Sequence, residues 1–383
     1  MAEYERLFAA IDAKNEEYVK VWEDICNLES PTLFKEGVDR VGDYCVAKAQ
    51  ELGFAVEVFP QTVSGNCVMI VMNPDAPGEA VCFSGHMDTV HPVGAFGTPA
   101  VRIAGDKIYG PGVTDCKGGI AASLLAMAAL KEIGFKSRPI KLFLQSDEEN
   151  GSSSSNKATI QWICQKAQGS AAFLNGEGFS KNAVLKRKGI LRYRFEITGK
   201  AVHSSNCPDG ISAIREAAYK IIELEKCKEK EGLTCNCGLI SGGTAENTVS
   251  EKCTFYADFR FPNAELREAA KKLAKTVAET SYVEGSTCQL FQKSERVAME
   301  LVERNENLLA QMNAIYRESG LPELPMGKSN GGSDAADVTM AGVPCIDSIG
   351  AEGGEIHSLN EIAYLTSLAE SAKRFAVVAL QLQ

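Results

Sequence analysis

A chain of 383 residues, 45% hydrophobic and with 34 glycines, has a globular composition and enough length for two domains. Its formal net charge of −10 argues against nucleic acid as a partner, and no stretch has the apolar length of a membrane span. The 13 cysteines are scattered rather than spaced as a disulfide framework, which in a chain this long reads as reduced, mostly buried thiols; Cys235 and Cys237 are too close for a CxxC pair.

Residues 1–27 place apolar side chains at helical spacing among charges and lack the order of a secretion signal, so the expected setting is the cytoplasm. Val38 to Leu52 reads as a helix stopped at Gly53, followed by strands Ala55–Phe59 and Cys67–Met72 and a turn over residues 73–78. Val81–Ser84 is an apolar strand whose end delivers His86 and Asp88. Strand-length runs alternating with helical patterns point to an α/β layer architecture, in which ligands gather at the carboxyl ends of strands.

Next comes a glycine-rich loop over residues 110–119, which opens an almost wholly apolar helix from about Ile120 to Ile133. Asp115 sits just before that helix, and there a carboxylate either caps the helix or ligates something. Leu142–Leu144 then runs into Asp147, Glu148 and Glu149. Three adjacent acids at the end of a buried strand repel one another and resist desolvation, which points to a cation beside them. A serine-rich turn, a helix over Ala158–Gln168 and a strand over Ala171–Leu174 lead to another strand-end acid, Glu177.

From 188 to 297 the order is βαββαβ, a ferredoxin-like split motif inserted into the first domain, which spans 1–187 and 298–383. In the returning part, Ser329–Asp334 is glycine-rich and precedes a short helix. Its glycines would let backbone approach a substrate, or Ser333 or Asp334 would simply cap the helix. Val343–Ile349 reads as a strand, the loop after it presents His357, and a last helix runs from Glu361 or Leu365 to Leu382.

Five strand or loop ends thus carry His86 with Asp88, Asp115, Glu148 with Glu149, Glu177, and His357. Each alone has a plain reading as a cap, a surface acid or a satisfied core histidine. Together they are the ligand set for a pair of divalent transition metals, zinc first.

The segments SGHMDTV, GPGVTDCKGGI, SDEENGS, NGEG, GISAI, GGTAENTVSEKCTFYADFR, NGGSDAADV and EIHS resemble, in order, those of the M20 metallopeptidase family. This family includes glutamate carboxypeptidase, peptidase T, aminoacylase and the succinyl-diaminopimelate and acetylornithine deacylases, with the first two branches nearest. The resemblance implies a zinc-exopeptidase-like mixed sheet flanked by helices, with the insertion as an α+β lid and dimerisation domain, and hence a homodimer. It implies that His86 and Glu177 bind one metal, Glu149 and His357 the other, and Asp115 both. Zinc is the expected metal, with cobalt or manganese able to take the same ligands. Asp88 would steady the His86 ring, and Glu148 would take a proton from the metal-bridging water and pass it to the leaving amine. A cis peptide is implied at Asp115–Cys116.

By the same resemblance, His203 steadies the oxyanion, while Asn247 and Arg260 bind the substrate's carboxylate or carbonyl oxygen. Arg260 could equally pair with Asp258, and Arg296, Arg187 and Lys188 are further cationic candidates. Gly331, Gly332 and Ser333 complete the candidate substrate contacts. His91 and Asp147 take structural readings, His91 at the surface or a cleft rim. The activity implied is hydrolysis of an amide bond in a small substrate with a free carboxylate, by an exopeptidase of small peptides or of C-terminal residues. Its rivals are an N-acyl amino acid deacylase and a non-catalytic metal-binding homologue. Leu185-Lys186-Arg187-Lys188-Gly189 departs from the glutamate-contacting segment of glutamate carboxypeptidase, which puts a glutamate preference in doubt.

Overall fold

Strands buried on both faces read as unbroken apolar runs, and two of them, Cys67–Met72 and Val81–His86, are buried at every position. The computed structural model describes residues 2–382 and divides into two compact units. The first is built from the chain up to Leu185, Leu301–Lys328 and the chain from Ser333 onward; the second is Lys186–Glu300 with Ser329–Gly332.

The central sheet of the first unit has the order Ala55–Phe59, Cys67–Met72, Ile140–Gln145, Val81–His86, Ala172–Asn175, Cys345–Ile346. Its first two pairings are antiparallel and its last three parallel. Side chains alternate between the faces. Ile70, Phe83, Leu142, Leu144 and Leu174 enter a core with helices Ala2–Asn27, Lys117–Glu132, Glu303–Ser319 and Thr366–Gln381. On the other face, Phe143 stacks on Phe173 and meets the edge of Trp162 from helix Ala158–Ala167.

Helix Lys117–Glu132 is buried from Lys117 through Leu130, in keeping with its lack of a polar face. Its approach to the sheet depends on glycine: a Cβ at Gly119, or at Gly350, would lie 2.0 Å from the carbonyl oxygen of Gly176. The four parallel strands end at one edge, so the segments that follow them share one side of the sheet.

A second, small antiparallel sheet of four strands, Gly353–Gly354, Ile362–Tyr364, Lys107–Tyr109 and Arg102–Ala104, was not foreseen, because strands of two or three residues show no periodicity. The strand expected over Val343–Ile349 shrinks to Cys345–Ile346. Beyond it Ser348 turns to φ +61, its N–H donating to the Asp347 carboxylate. The last helix begins only at Thr366, leaving Glu361 in a loop. Among the described residues no helix is long and apolar enough to cross a membrane.

The second unit is an antiparallel sheet ordered Thr234–Gly242, Lys252–Phe261, Gly189–Thr198, Thr287–Arg296, joined by helices Ala213–Leu224 and Ala264–Glu279 in the ferredoxin-like order. A buried ion pair braces it. Lys220 Nζ lies 2.9 Å from Glu216 and donates to the carbonyls of Val277 and Thr280, each at 2.6 Å. Glu216 in turn accepts from the N–H groups of Tyr282 and Val283.

Candidate metal centre

His86 closes its strand, Glu148 and Glu149 follow Ile140–Gln145, Glu177 follows Ala172–Asn175, and Asp115 and His357 arrive on loops. The structure brings five of these side chains together. His86 Nε2 lies 3.0 Å from Asp115 Oδ1 and 3.8 Å from Glu177 Oε1. His357 Nε2 lies 3.1 Å from Asp115 Oδ2 and 3.2 Å from Glu149 Oε2. The two oxygens of Asp115 are thus divided between two imidazoles. Asp115 does not cap the helix: the N-cap position is Cys116, with no side-chain cap bond, and the Asp115–Cys116 peptide is cis.

Burial would raise the Asp115 carboxyl, but hydrogen bonds from His357 and His86 hold it well below the usual carboxylate range. Burial pushes Glu149 up to about 8, partly opposed by His357. Hydrogen bonds to Asp115 and Glu149 raise His357 to about 10. His86 is also raised well above its ordinary value: burial lowers it, and Cys116 and Asp115 outweigh that. The cluster therefore gathers protons where acids crowd. Its donor set fits two divalent ions, because each half offers an imidazole nitrogen, its own carboxylate and a share of Asp115, leaving coordination positions for water or substrate. His86, Asp115 and Glu149 offer ligand atoms within 4.8 Å of one another, as do His86, Cys116 and Glu177. The Cys116 sulfur, which no motif spacing marks, accepts from His86 N–H at 2.9 Å.

Asp88 reaches the His86 ring through both its main chain and its side chain. The nearest acceptor to His86 Nδ1 is the Asp88 carbonyl oxygen at 2.9 Å, with the carboxylate at 3.4 Å. That carboxylate also accepts from the N–H groups of Glu148 and Glu149, both at 3.1 Å, and from the Thr32 hydroxyl at 2.7 Å. Asp147 is fully buried and accepts from Thr159 Oγ1 and Ser155 N–H, bracing the turn after the acids. His91, expected near the surface, is buried and pairs with Glu361 at 3.2 Å. The sequence alone marks Glu361 only as a possible helix start, whereas the helix begins at Thr366.

His203, Asn247, Arg260, Gly331 and Gly332 belong to the second unit, and Ser333 to the first. His203 and Asn247 are exposed neighbours: Ser204 N–H donates to Asn247 O at 2.9 Å, and His203 bridges Thr248. His203 Nδ1 accepts from Ser205 N–H at 3.2 Å, which leaves Nε2 as the proton-bearing nitrogen of the neutral ring. Arg260 is held by Asp258, Nε to Oδ1 at 2.6 Å, and Arg192 binds the other Asp258 oxygen at 2.7 Å. Gly331 and Gly332 offer their carbonyls to Arg187 at 3.4 and 3.2 Å, and a Cβ on Gly332 would lie 2.6 Å from Arg296 Cδ. Ser333 is fully buried and takes the cap role: its hydroxyl accepts from Ala335 N–H and from Asn175.

The chain resembles several known proteins along most of its length. Carboxypeptidase G2 of Pseudomonas sp. (strain RS-16) is 29% identical over 358 residues, 92% of this chain and 86% of that protein. Acetylornithine deacetylase of Myxococcus xanthus is 28% identical over 65% of this chain and 68% of its own length. Among solved structures, a tripeptidase from Staphylococcus aureus superposes with a TM-score of 0.77 at 21% identity, covering 96% of this chain and 99% of that one, a likeness of fold. The family profile of peptidase family M20/M25/M40 matches residues 82–381. Both histidines and all the carboxylates of the cluster fall inside that span, and the chain belongs to this family of metallopeptidases.

Proposed function

We propose that the chain is a di-metal hydrolase cleaving an amide or peptide bond in a small substrate that carries a free carboxylate, as an exopeptidase of the carboxypeptidase or di/tripeptidase kind. The observation that carries this reading is the division of Asp115 between His86 and His357, at 3.0 and 3.1 Å. In this reading His86 and Glu177 hold one ion, His357 and Glu149 the other, and Asp115 holds both, with zinc the expected metal and cobalt or manganese compatible. When bound, such ions acidify water and polarise a carbonyl.

The chain's own groups do the rest. Glu148, buried at the sheet edge, takes the proton of the attacking water and returns it to the leaving amine. The Asp88 carboxylate fixes the peptide groups on which Glu148 and Glu149 ride. His203 donates Nε2–H to the developing oxyanion. Arg260 and Asn247 receive the substrate's carboxylate or carbonyl oxygen, with Gly331 and Gly332 alongside. Two guanidiniums sharing the one Asp258 carboxylate leave net positive charge for an anion. The similarity to carboxypeptidase G2 along most of the chain favours this substrate class.

Thirteen free cysteines suit the reducing cytoplasm. A second copy of the chain is the proposed partner of the second unit, whose helix Ala213–Leu224 exposes Ile214 and Ile222 and whose edge strand Thr234–Gly242 exposes Leu239 and Ile240.

The test is Glu148→Gln, assayed on dipeptides, tripeptides and N-acyl amino acids with and without added zinc. The variant keeps its ions and loses roughly 10²–10⁴-fold in turnover. Near-normal turnover would remove Glu148 as the base. Wild-type cleavage confined to acyl amino acids would make the protein a deacylase, and two bound ions without hydrolysis of any substrate would make it a metal-binding scaffold.

A further inference from the structure

Glu361 is 1% exposed, and its carboxylate faces four donors. Oε1 accepts from the N–H groups of Thr114 at 2.9 Å and Asp115 at 3.1 Å. Oε2 accepts from Gly112 N–H at 3.2 Å and lies 3.2 Å from His91 Nε2. The adjoining main chain reinforces this seam: Gly110 N–H donates to Glu361 O, Thr114 Oγ1 donates to Ile362 O at 2.6 Å, and Ile362 pairs with Tyr109. His91 is held in turn by Phe96, ring edge to face at 4.9 Å.

Three backbone N–H groups that converge on one point cannot satisfy one another. An acceptor with two oxygens and a full negative charge suits them better than any neutral side chain. The loop they organise carries Asp115, and the loop that supplies Glu361 carries His357. Asp115 and Glu361 are 246 residues apart in sequence, so no local structure sets the spacing between the two loops. We propose that Glu361, seconded by His91, is a positioning residue that locks the Gly112–Asp115 backbone to the His357 loop, so that Asp115 presents one oxygen to each histidine. This inference rests on the di-metal reading of the site.

The experiment compares the full-length wild type with Glu361→Gln, Glu361→Ala and His91→Asn. Each is stripped of metal, checked for folding by circular dichroism and titrated with Co²⁺, with visible absorption reporting coordination geometry. Glu361→Gln keeps the shape but turns an NH₂ toward an N–H group. It is expected to bind the second Co²⁺ about 10–100-fold more weakly, with an altered absorption envelope, as loss of groups that orient metal ligands typically does. Glu361→Ala is weaker still and His91→Asn milder. Should Glu361→Ala not fold, Glu361→Gln and His91→Asn decide.

A purely structural brace would lower the melting temperature and leave cobalt affinity and spectrum unchanged in the folded variants, and that result overturns the inference. Peptidase assays on the same samples separate it from the proposed reaction. A wild type that binds two ions without hydrolysis defeats the reaction only. Glu361 variants with wild-type cobalt binding defeat this inference only.

Discussion

Replacing Asp88 by Asn distinguishes two roles for that carboxylate. If its task is to hold the His86 ring, the substitution loosens a metal ligand; if it is to hold the Glu148 and Glu149 peptides, it disturbs the base. The distances favour the second, because His86 Nδ1 is nearest the Asp88 main-chain oxygen, which the substitution keeps. Oδ2 serves both Glu149 N–H and Thr32, so an Asn oxygen settles there. Its NH₂ then confronts Glu148 N–H across 3.1 Å. An orphaned buried N–H costs about 1–3 kcal/mol, and that is the expected loss of stability. Because a small misplacement of a reacting group costs roughly 100-fold, kcat should drop about 10–100-fold, the upper figure being roughly 2.7 kcal/mol of barrier. Metal analysis, kcat and chemical denaturation on one preparation are the assay. Loss of the His86-side ion with unchanged kcat per fully loaded molecule would refute the reasoning.

Three further outcomes follow from the same geometry. With His357 raised to about 10 and Glu149 to about 8, the metal-free site is protonated at neutral pH, so ion binding releases protons and strengthens as pH rises toward those values; calorimetry in buffers of different protonation enthalpy should show net release, and none would contradict the cluster's electrostatics. Gly119→Ala drives a methyl against the Gly176 carbonyl, with a built distance of 2.0 Å, and should cost about 1–3 kcal/mol while weakening the ion beside Glu177; unchanged thermal melting and metal content would count against that packing. Lys220→Met leaves Glu216 buried without its cation and should destabilise the second unit by about 3–5 kcal/mol, seen as faster hydrogen exchange over residues 213–224; wild-type exchange would show that the pair is dispensable.

The sequence was most informative where chemistry and periodicity coincide. Cys67–Met72 and Ile140–Gln145 appear as strands because burial on both faces leaves them apolar, and the acids that follow such a strand stand out. The helix after Asp115 was visible for the same reason, although its start is set at Lys117 by the glycine loop. Glu361 was hidden because its four donors lie 246 to 270 residues away, and its own neighbourhood, Asn360-Glu361-Ile362, looks like an ordinary polar turn. The sign that could have found it is an acid four residues after His357, with an apolar pair directly behind. The Asp88 carboxylate lies beside the His86 ring, but its bonds to the Glu148 and Glu149 N–H groups depend on a rotamer that no spacing rule reveals. The grouping of Ser329–Gly332 with the second unit was likewise illegible, because Arg187 and Arg296 come from distant segments.

The order in which the proposed ligands occur along the chain has a consequence for biosynthesis. His86, Asp115, Glu149 and Glu177 precede the whole second unit, whereas His357 and Glu361 follow it, on a loop flanked by strands of only two and three residues. A nascent polypeptide still lacking this stretch has His86, Asp115, Glu149 and Glu177 but not the second imidazole. In the proposed di-metal site, the ion beside His357 therefore waits on a segment made after the whole second unit.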